Sequence, residues 1–228
     1  MENAVSPASQ DRLSAIDFEL LGEVQLPTGT LFSDPDNPSS QTEIGGLSGL
    51  AYDSVSGLYY ALADDRSSAA RFYTVDIDLS DGALNSDDVA FQDVTFLLDK
   101  DGVGEASPTE NRFESGTLDT EGIALTPDGT LYISSEGDAN QIINPFIREI
   151  ALDGSFISEL PIPNLYLPTA DQSSGIRNNL AFESLTISPD QKFLYTATEN
   201  ALYQDGPNAD VEQPSLSRIL KYDLTTGD

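Results

Sequence analysis

Apolar positions along this 228-residue chain come in short β-prone runs broken by turn-forming residues. No stretch keeps a 3.6-residue apolar period for three turns, so helices are not expected. RFYTVDIDL ends in SDG, VAFQDVTFLL in DKDG, and FIREIALDG runs into SFISELPIP, with SRILKYDLTTGD last. Such spacing of runs and turn chemistry predicts strands joined by tight connections. Three stretches repeat one pattern: GGLSGLAYDSVSGLYYALADDR from Gly45, DTEGIALTPDGTLYISSEGD from Asp119 and FESLTISPDQKFLYTATEN from Phe182. Each reads as a β-hairpin with a polar oxygen where it opens and an acid where it closes. Hairpins repeated at wide intervals in an all-β chain predict antiparallel blades around an axis, a β-propeller or part of one.

The repeat has a regular register. Tyr60, Tyr132 and Tyr195 each precede an acid by four residues, namely Asp64, Glu136 and Glu199, which places tyrosine and acid on one face of a strand. The tyrosines lie 72 and 63 residues apart, room for two more strands and a loop in each interval. TPDGT and SPDQK put Pro and Asp at the corners of a type I turn, where the first copy has SVSG. Residues 1–17 are polar and aperiodic and read as a lead-in; FELLGEVQLP should begin a single domain over 18–228. At roughly 65 residues per unit the chain supplies three to four blades, whereas closed propellers have about four to eight, so the domain is expected to lack its C-terminal blades. TLFSDPDNPSSQTE, the region from Gly102 to Gly116 and GPNADVEQPS read as long loops, which more often serve function or the rim than the core.

Composition narrows the chemistry. The chain has neither cysteine nor histidine, which excludes thiolate nucleophiles, disulfides, Cys-based zinc sites, Ser-His-Asp triads and histidine-dependent phosphatases. Ten basic against 39 acidic residues give a net charge of −29, a field that repels nucleic acid and anionic membranes and suits cations. No segment reaches the ~18 continuous apolar residues of a membrane span. The N-terminus lacks the basic start and apolar core of a signal peptide.

Against that background the repeated acids stand out. Glu121 and Glu136 bracket the second hairpin, Glu183 and Glu199 the third, and Ser48 and Asp64 the first, each pair expected to face across its open end. Opposed like charges are unfavourable unless neutralised, and equivalent positions on successive blades would converge on one channel mouth. An all-oxygen cluster is hard-cation chemistry and favours Ca²⁺ over zinc or copper. Asp65, Asp138, Asn178, Asn179 and Asn200 are further oxygen donors nearby. The simpler alternative is that these acids cap strand ends or pair with arginines. Arg66, Arg71, Arg112, Arg148 and Arg177 all lie close to the acidic motifs in sequence, either as salt-bridge partners or as paired donors to a phosphoester.

At GGLSGLAYD, ALADDRSSAARFYTVDI, DTEGIAL and NLAFESLTISPDQKFLYTATENAL the sequence resembles the phytase-like family described as having "esterase-like activity of phytase", over roughly Gly22 to the C-terminus. The resemblance implies a β-propeller, usually exported to the periplasm or outside the cell, with a phosphomonoesterase or esterase role. A more distant, architectural similarity to calcium-dependent β-propeller phytases implies Ca²⁺ held by Asp64, Asp65, Glu121, Glu136, Glu183 and Glu199. It also implies Arg66, Arg148 and Arg177 on the substrate phosphate, and a catalytic set of Glu121, Glu183, Arg148 and Arg177.

The leading expectation is therefore a hydrolase of phosphomonoesters or small esters, its partner a small anionic substrate attacked by a Ca²⁺-activated water with a carboxylate base. No GxSxG motif supports a serine esterase. Two alternatives stay open: a non-catalytic, calcium-stabilised extracellular binding propeller, and a calcium-dependent lactonase.

Overall fold

Each repeated hairpin forms the first two strands of an antiparallel sheet. The structure, a computed structural model, describes residues 18–35, 39–66, 69–98 and 118–226. In the first sheet β3 (Leu47–Tyr52), β4 (Tyr59–Ala63), β5 (Arg71–Ile77) and β6 (Val89–Phe96) are hydrogen-bonded in chain order. The second repeats this with β7 (Thr120–Leu125), β8 (Leu131–Ser135), β9 (Phe146–Ile150) and β10 (Phe156–Leu160). A third sheet contains β11 (Phe182–Ile187), β12 (Phe193–Thr198) and β13 (Ile219–Asp223). Ahead of them, β1 (Leu31–Ser33) pairs with β2 (Gln41–Glu43). Among the described residues no helix is long and apolar enough to cross a membrane.

The sheets succeed one another as blades do. Strands β3, β7 and β11, the first of each sheet, lie side by side, and the cores fill the spaces between neighbouring sheets. Tyr60, Leu62 and Phe72 meet Ile123, Leu131 and Ile133 between the first and second. Tyr132, Ile147 and Leu160 meet Phe182, Leu194 and Leu220 between the second and third. Alternate residues of β4 point the other way, so Ala61 and Ala63 join Tyr73, Val75 and Phe32 beneath the β1–β2 hairpin. Strands covered on both faces lose the polar half of the alternation, and β8 is buried at all five positions.

Glycine lets the inner strands touch backbone to backbone. A Cβ on Gly49 would sit 3.0 Å from the Glu121 carbonyl oxygen, and one on Gly122 would sit 2.6 Å from the Leu185 nitrogen. These two glycines occupy equivalent places in β3 and β7, and each faces the inner strand of the next sheet. Hydroxyls reinforce the same seams: Thr120 donates to the Ala63 carbonyl at 2.7 Å, Ser48 to that of Glu121 at 3.0 Å and Ser134 to that of Phe182 at 3.3 Å.

FELLGEVQLP carries one parallel bridge, Gly22 to Leu84, and no strand longer than that. One expectation needs amendment. The hairpin registers differ from the symmetric bracketing, as described below. The lead-in 1–17 and the loop expected from Gly102 to Gly116 fall outside the described residues.

The seam yields a direct test. Gly122→Ala places a methyl group against fixed backbone and is expected to destabilise the fold by about 2–3 kcal/mol. Gly45→Ala faces open space at ordinary φ and should stay within about 0.5 kcal/mol of wild type. Urea denaturation of both variants checks the contrast; equal losses would contradict the close seam.

Candidate metal centre

The open end of every hairpin is built in the same way. After the second strand the chain carries an acid whose backbone N–H returns to the strand before it: Asp64 to Gly46 at 2.6 Å, Glu136 to Asp119 at 2.9 Å and Glu199 to Ala181 at 2.8 Å. Between that contact and the regular ladder, each inner strand has a β-bulge. The irregularity lies between Leu47 and Gly49, Thr120 and Ile123, and Phe182 and Ser184. Ser48, Glu121 and Glu183 therefore sit in the bulges, where a strand re-aims side chains out of its pleat.

The bulge corrects the facing pairs. Glu136 lies opposite Asp119 rather than Glu121, and Glu199 opposite Ala181 rather than Glu183. Asp119 thus enters the site, although bracketing passed it over. Its signal was present in the DTEG motif, two residues ahead of Glu121, but an inserted residue cannot be counted from one strand alone.

Two triads of carboxylates result, Asp119 with Glu121 and Glu136, and Glu136 with Glu183 and Glu199. In each, one oxygen per residue lies within 4.8 Å of the others, and Glu136 belongs to both. Glu136 is 1% exposed. Its Oε1 accepts the Ala181 N–H, while Oε2 is buried with no donor among the described residues. What surrounds it is carboxylate.

Electrostatics record the crowding. Burial, followed by the charges of Glu183, Asp64, Asp119 and Glu199, pushes Glu121 up to about 8. Carboxylates from all three sheets thus bear on one side chain. Burial raises Glu136 to about 9 despite the Ala181 N–H, with Glu183 and Asp119 adding to it. Glu183 and Asp64 are also raised, chiefly by burial and then, for Asp64, by Asp65. Asp119 is raised by burial even though Arg66 pulls the other way. A buried oxygen without a donor, at the junction of five carboxylates, fits a hard cation better than it fits any side chain present.

The other residues singled out in the sequence divide clearly. Asp64 borders the cluster without joining either triad. Asp65 instead pairs at 3.0 Å with Arg71, a fully buried guanidinium that also donates to the Tyr73 hydroxyl at 2.7 Å and the Glu43 carbonyl at 2.9 Å. Arg148 lies in the third strand of its sheet, 4.0 Å over the Phe146 ring and 2.8 Å from Glu159. Arg177 donates to the Ala201 carbonyl at 2.9 Å and lies 4.4 Å over the Tyr203 ring. Asn200 is occupied in its own loop, its Oδ1 accepting the Ala201 and Ala209 N–H groups and the Ser215 hydroxyl. Of the three arginines expected on phosphate, Arg66 is the one in an ion pair with a triad member, Asp119, at 3.2 Å.

The raised pKa values have a readable consequence. Glu121 and Glu136 hold protons more tightly in the folded protein than in the unfolded chain, where glutamate titrates near 4.5. Their contribution to stability is full below that value and is lost as pH rises through about 8 and 9. In chelator, the melting temperature is expected to fall between about pH 5 and 9, and Glu136→Gln should flatten the slope. Differential scanning fluorimetry across that range measures both; a wild-type midpoint that climbs with pH would contradict the buried cluster.

Comparison with known proteins places this arrangement in a family. A curated relative, an uncharacterized secreted protein of Arthroderma benhamiae, is 27% identical over 132 residues, covering 48% of this chain and 24% of the relative. The chain thus spans about a quarter of that relative's length. Among solved structures, the periplasmic gluconolactonase of Pseudomonas aeruginosa aligns over 71% of this chain and 39% of its own, at 13% identity and a TM-score of 0.37. A putative 6-phosphogluconolactonase of Bacteroides uniformis aligns over 71% of this chain and 53% of its own, at 17% identity and a TM-score of 0.33. The phytase-like family model, described as "esterase-like activity of phytase", matches residues 42–228, and the chain belongs to that family.

Proposed function

We propose that the protein is a calcium-dependent hydrolase of phosphomonoesters or small esters, working at the mouth formed by the three bulges. The observation that carries this reading is the buried Glu136 Oε2, which has carboxylates around it and no donor. Asp119, Glu121, Glu136, Glu183 and Glu199 are the residues that would hold Ca²⁺. Bound there, Ca²⁺ supplies Lewis-acid polarisation of a substrate oxygen and a lowered pKa for attacking water.

The chain's own residues do the rest. Glu121 and Glu183 are half-buried on their bulges, whereas Glu136 is enclosed. Together with the exposed Glu199 they are the carboxylates of the cluster that reach solvent, and their places in the bulges make them the ones assigned to accept a proton from water. Without the cation, burial and the neighbouring carboxylates raise the pKa values of Glu121 and Glu183, and a cation bound among them would lower them again. Arg66, part-exposed, donates to both Asp119 and Asp138 and is the arginine bordering the carboxylate cluster, so it is the one kept in this reading as a partner for a substrate oxyanion. Arg148 and Arg177 have no part in the proposal because their guanidinium groups are engaged elsewhere in the fold.

The family's secreted relative supports an exported protein, and a site assembled from crowded carboxylates suits the calcium-rich exterior. The three sheets are read as an arc of a larger ring, since closed propellers have at least about four blades.

The test is turnover of p-nitrophenyl phosphate, p-nitrophenyl acetate and a gluconolactone in Ca²⁺ and in chelator. Calcium-dependent cleavage of an ester is expected, with Glu136→Gln weakening Ca²⁺ binding by about tenfold or more through loss of a charged ligand. Equal background rates in both buffers would overturn the proposal; a melting temperature that still rises with Ca²⁺ would then leave the ion a structural role.

A further inference from the structure

The hairpin turns lie at the opposite end of the strands from the clustered acids. Tyr60 is near the start of β4 and Asp64 just past its end, so extended strand separates them by about 13 Å. At the turn end, the first and second hairpins line a cavity of about 500 Å³, together with Leu152 from the turn between β9 and β10 and Gln191 from the third hairpin. That volume is within the range of roughly 300–1,000 Å³ that small-molecule sites occupy. The cavity shares no residue with the carboxylate triads.

Part of the lining is aromatic. Tyr52 is 53% exposed, and its ring lies 4.7 Å from that of Tyr59, its cross-strand neighbour, which steadies it. Leu125 and Leu152 add aliphatic surface. Tyr60 reaches the cavity from the seam between the sheets. It is 6% exposed and packs edge-on to Phe72 at 5.9 Å, yet its hydroxyl makes no hydrogen bond with another described residue. A phenol buried to that degree ordinarily has a partner, and the space that Tyr60 lines is the cavity. Burial, with the charge of Asp53 adding to it, raises the pKa of this hydroxyl, so it stays an O–H at neutral pH.

The charged groups of the lining are all negative. Asp53 accepts the Val55 N–H on Oδ1 at 2.8 Å and the Ser56 hydroxyl on Oδ2 at 2.7 Å. Those bonds, from Ser56 first and then Val55, hold its carboxyl below the usual aspartate range, and each oxygen keeps a lone pair. Asp128, in the second turn, is exposed and makes no ion pair with another described residue. No lysine or arginine lines the cavity. In a chain of net charge −29 such a place draws cations and repels anions. Two carboxylates fall short of the oxygen shell that Ca²⁺ needs, and both triads found among the described residues lie at the other end. An aromatic face, aliphatic walls and unneutralised carboxylates are instead what recognises an organic cation.

We propose that this cavity is a separate binding site for small organic ammonium compounds, with the cation held by the Tyr52 ring and the Asp53 and Asp128 carboxylates and a polar end meeting the Tyr60 hydroxyl. It stands independently of any hydrolytic reading of the acidic mouth, because no side chain serves both.

The experiment titrates the full chain with choline and with 3,3-dimethylbutan-1-ol, the neutral isostere that has carbon in place of nitrogen, followed by NMR at about physiological ionic strength to screen non-specific attraction. Choline is expected to bind about tenfold more tightly than the isostere. Asp128→Asn should weaken choline about threefold and the isostere little, and Tyr52→Ala should weaken choline about fivefold. Tyr60→Phe keeps the seam packing and should weaken both probes about threefold, through loss of one hydrogen bond. Tyr52 and Asp128 are exposed, so their variants are expected to melt with the wild type and keep the test valid should Tyr60→Phe fold poorly. Equal affinity for the two probes overturns the proposal, as does choline binding that Asp128→Asn and Tyr52→Ala leave unchanged. Competitive displacement of choline by Ca²⁺ would put the cation in the acidic mouth and overturns it too. So does a wild-type titration that shows no saturable choline binding.

Discussion

The structure depends on how closely its inner strands can approach one another. Gly49 and Gly122 remove the side chains that would hold β3, β7 and β11 apart, and hydroxyls of Ser48, Thr120 and Ser134 tie the seams to backbone carbonyls. Sheets brought that near must also bring their strand ends together. Since every hairpin ends in an acid, close packing of the backbone forces like charges into one place. The close seams and the crowded acids have the same origin.

That conflict is resolved locally in different ways for different acids. Asp65 has a buried arginine and Asp138 has four donors, so each carboxylate is met by partners. Glu136 has one backbone N–H and otherwise carboxylates, so its proton is held to about pH 9. Glu136 differs from Asp65 and Asp138 in what its second oxygen meets: it finds no donor among the described residues, and a proton or a cation would relieve it.

The bulges bring the crowded acids into a candidate metal site. Without the extra residue, Glu121 and Glu183 would follow the pleat of their strands and their side chains would be fixed by the ladder. In the bulge they leave the pleat beside the other acids, while Gly122, next in sequence to Glu121, continues the seam. The first sheet carries Ser48 at the equivalent place, where its hydroxyl is spent on the Glu121 carbonyl. The mouth is consequently asymmetric: the second and third sheets contribute all members of both triads, and the first contributes the arginine that crosses to Asp119.

The sequence by itself determined the strands, the three hairpins and the identity of most of the clustered acids, because two-residue alternation and turn chemistry are local properties that a reader can count. It also excluded cysteine and histidine chemistry outright. Only the tertiary structure decided which acid faces which. A bulge shifts pairing by one residue without leaving a mark in the alternation, and so Asp119 rather than Glu121 stands opposite Glu136. The destinations of the arginines were equally hidden: Arg148 and Arg177 look, in sequence, as near to the acidic motifs as Arg66 does. Long side chains are committed by contacts across sheets and loops, and those contacts exist only once distant segments have packed.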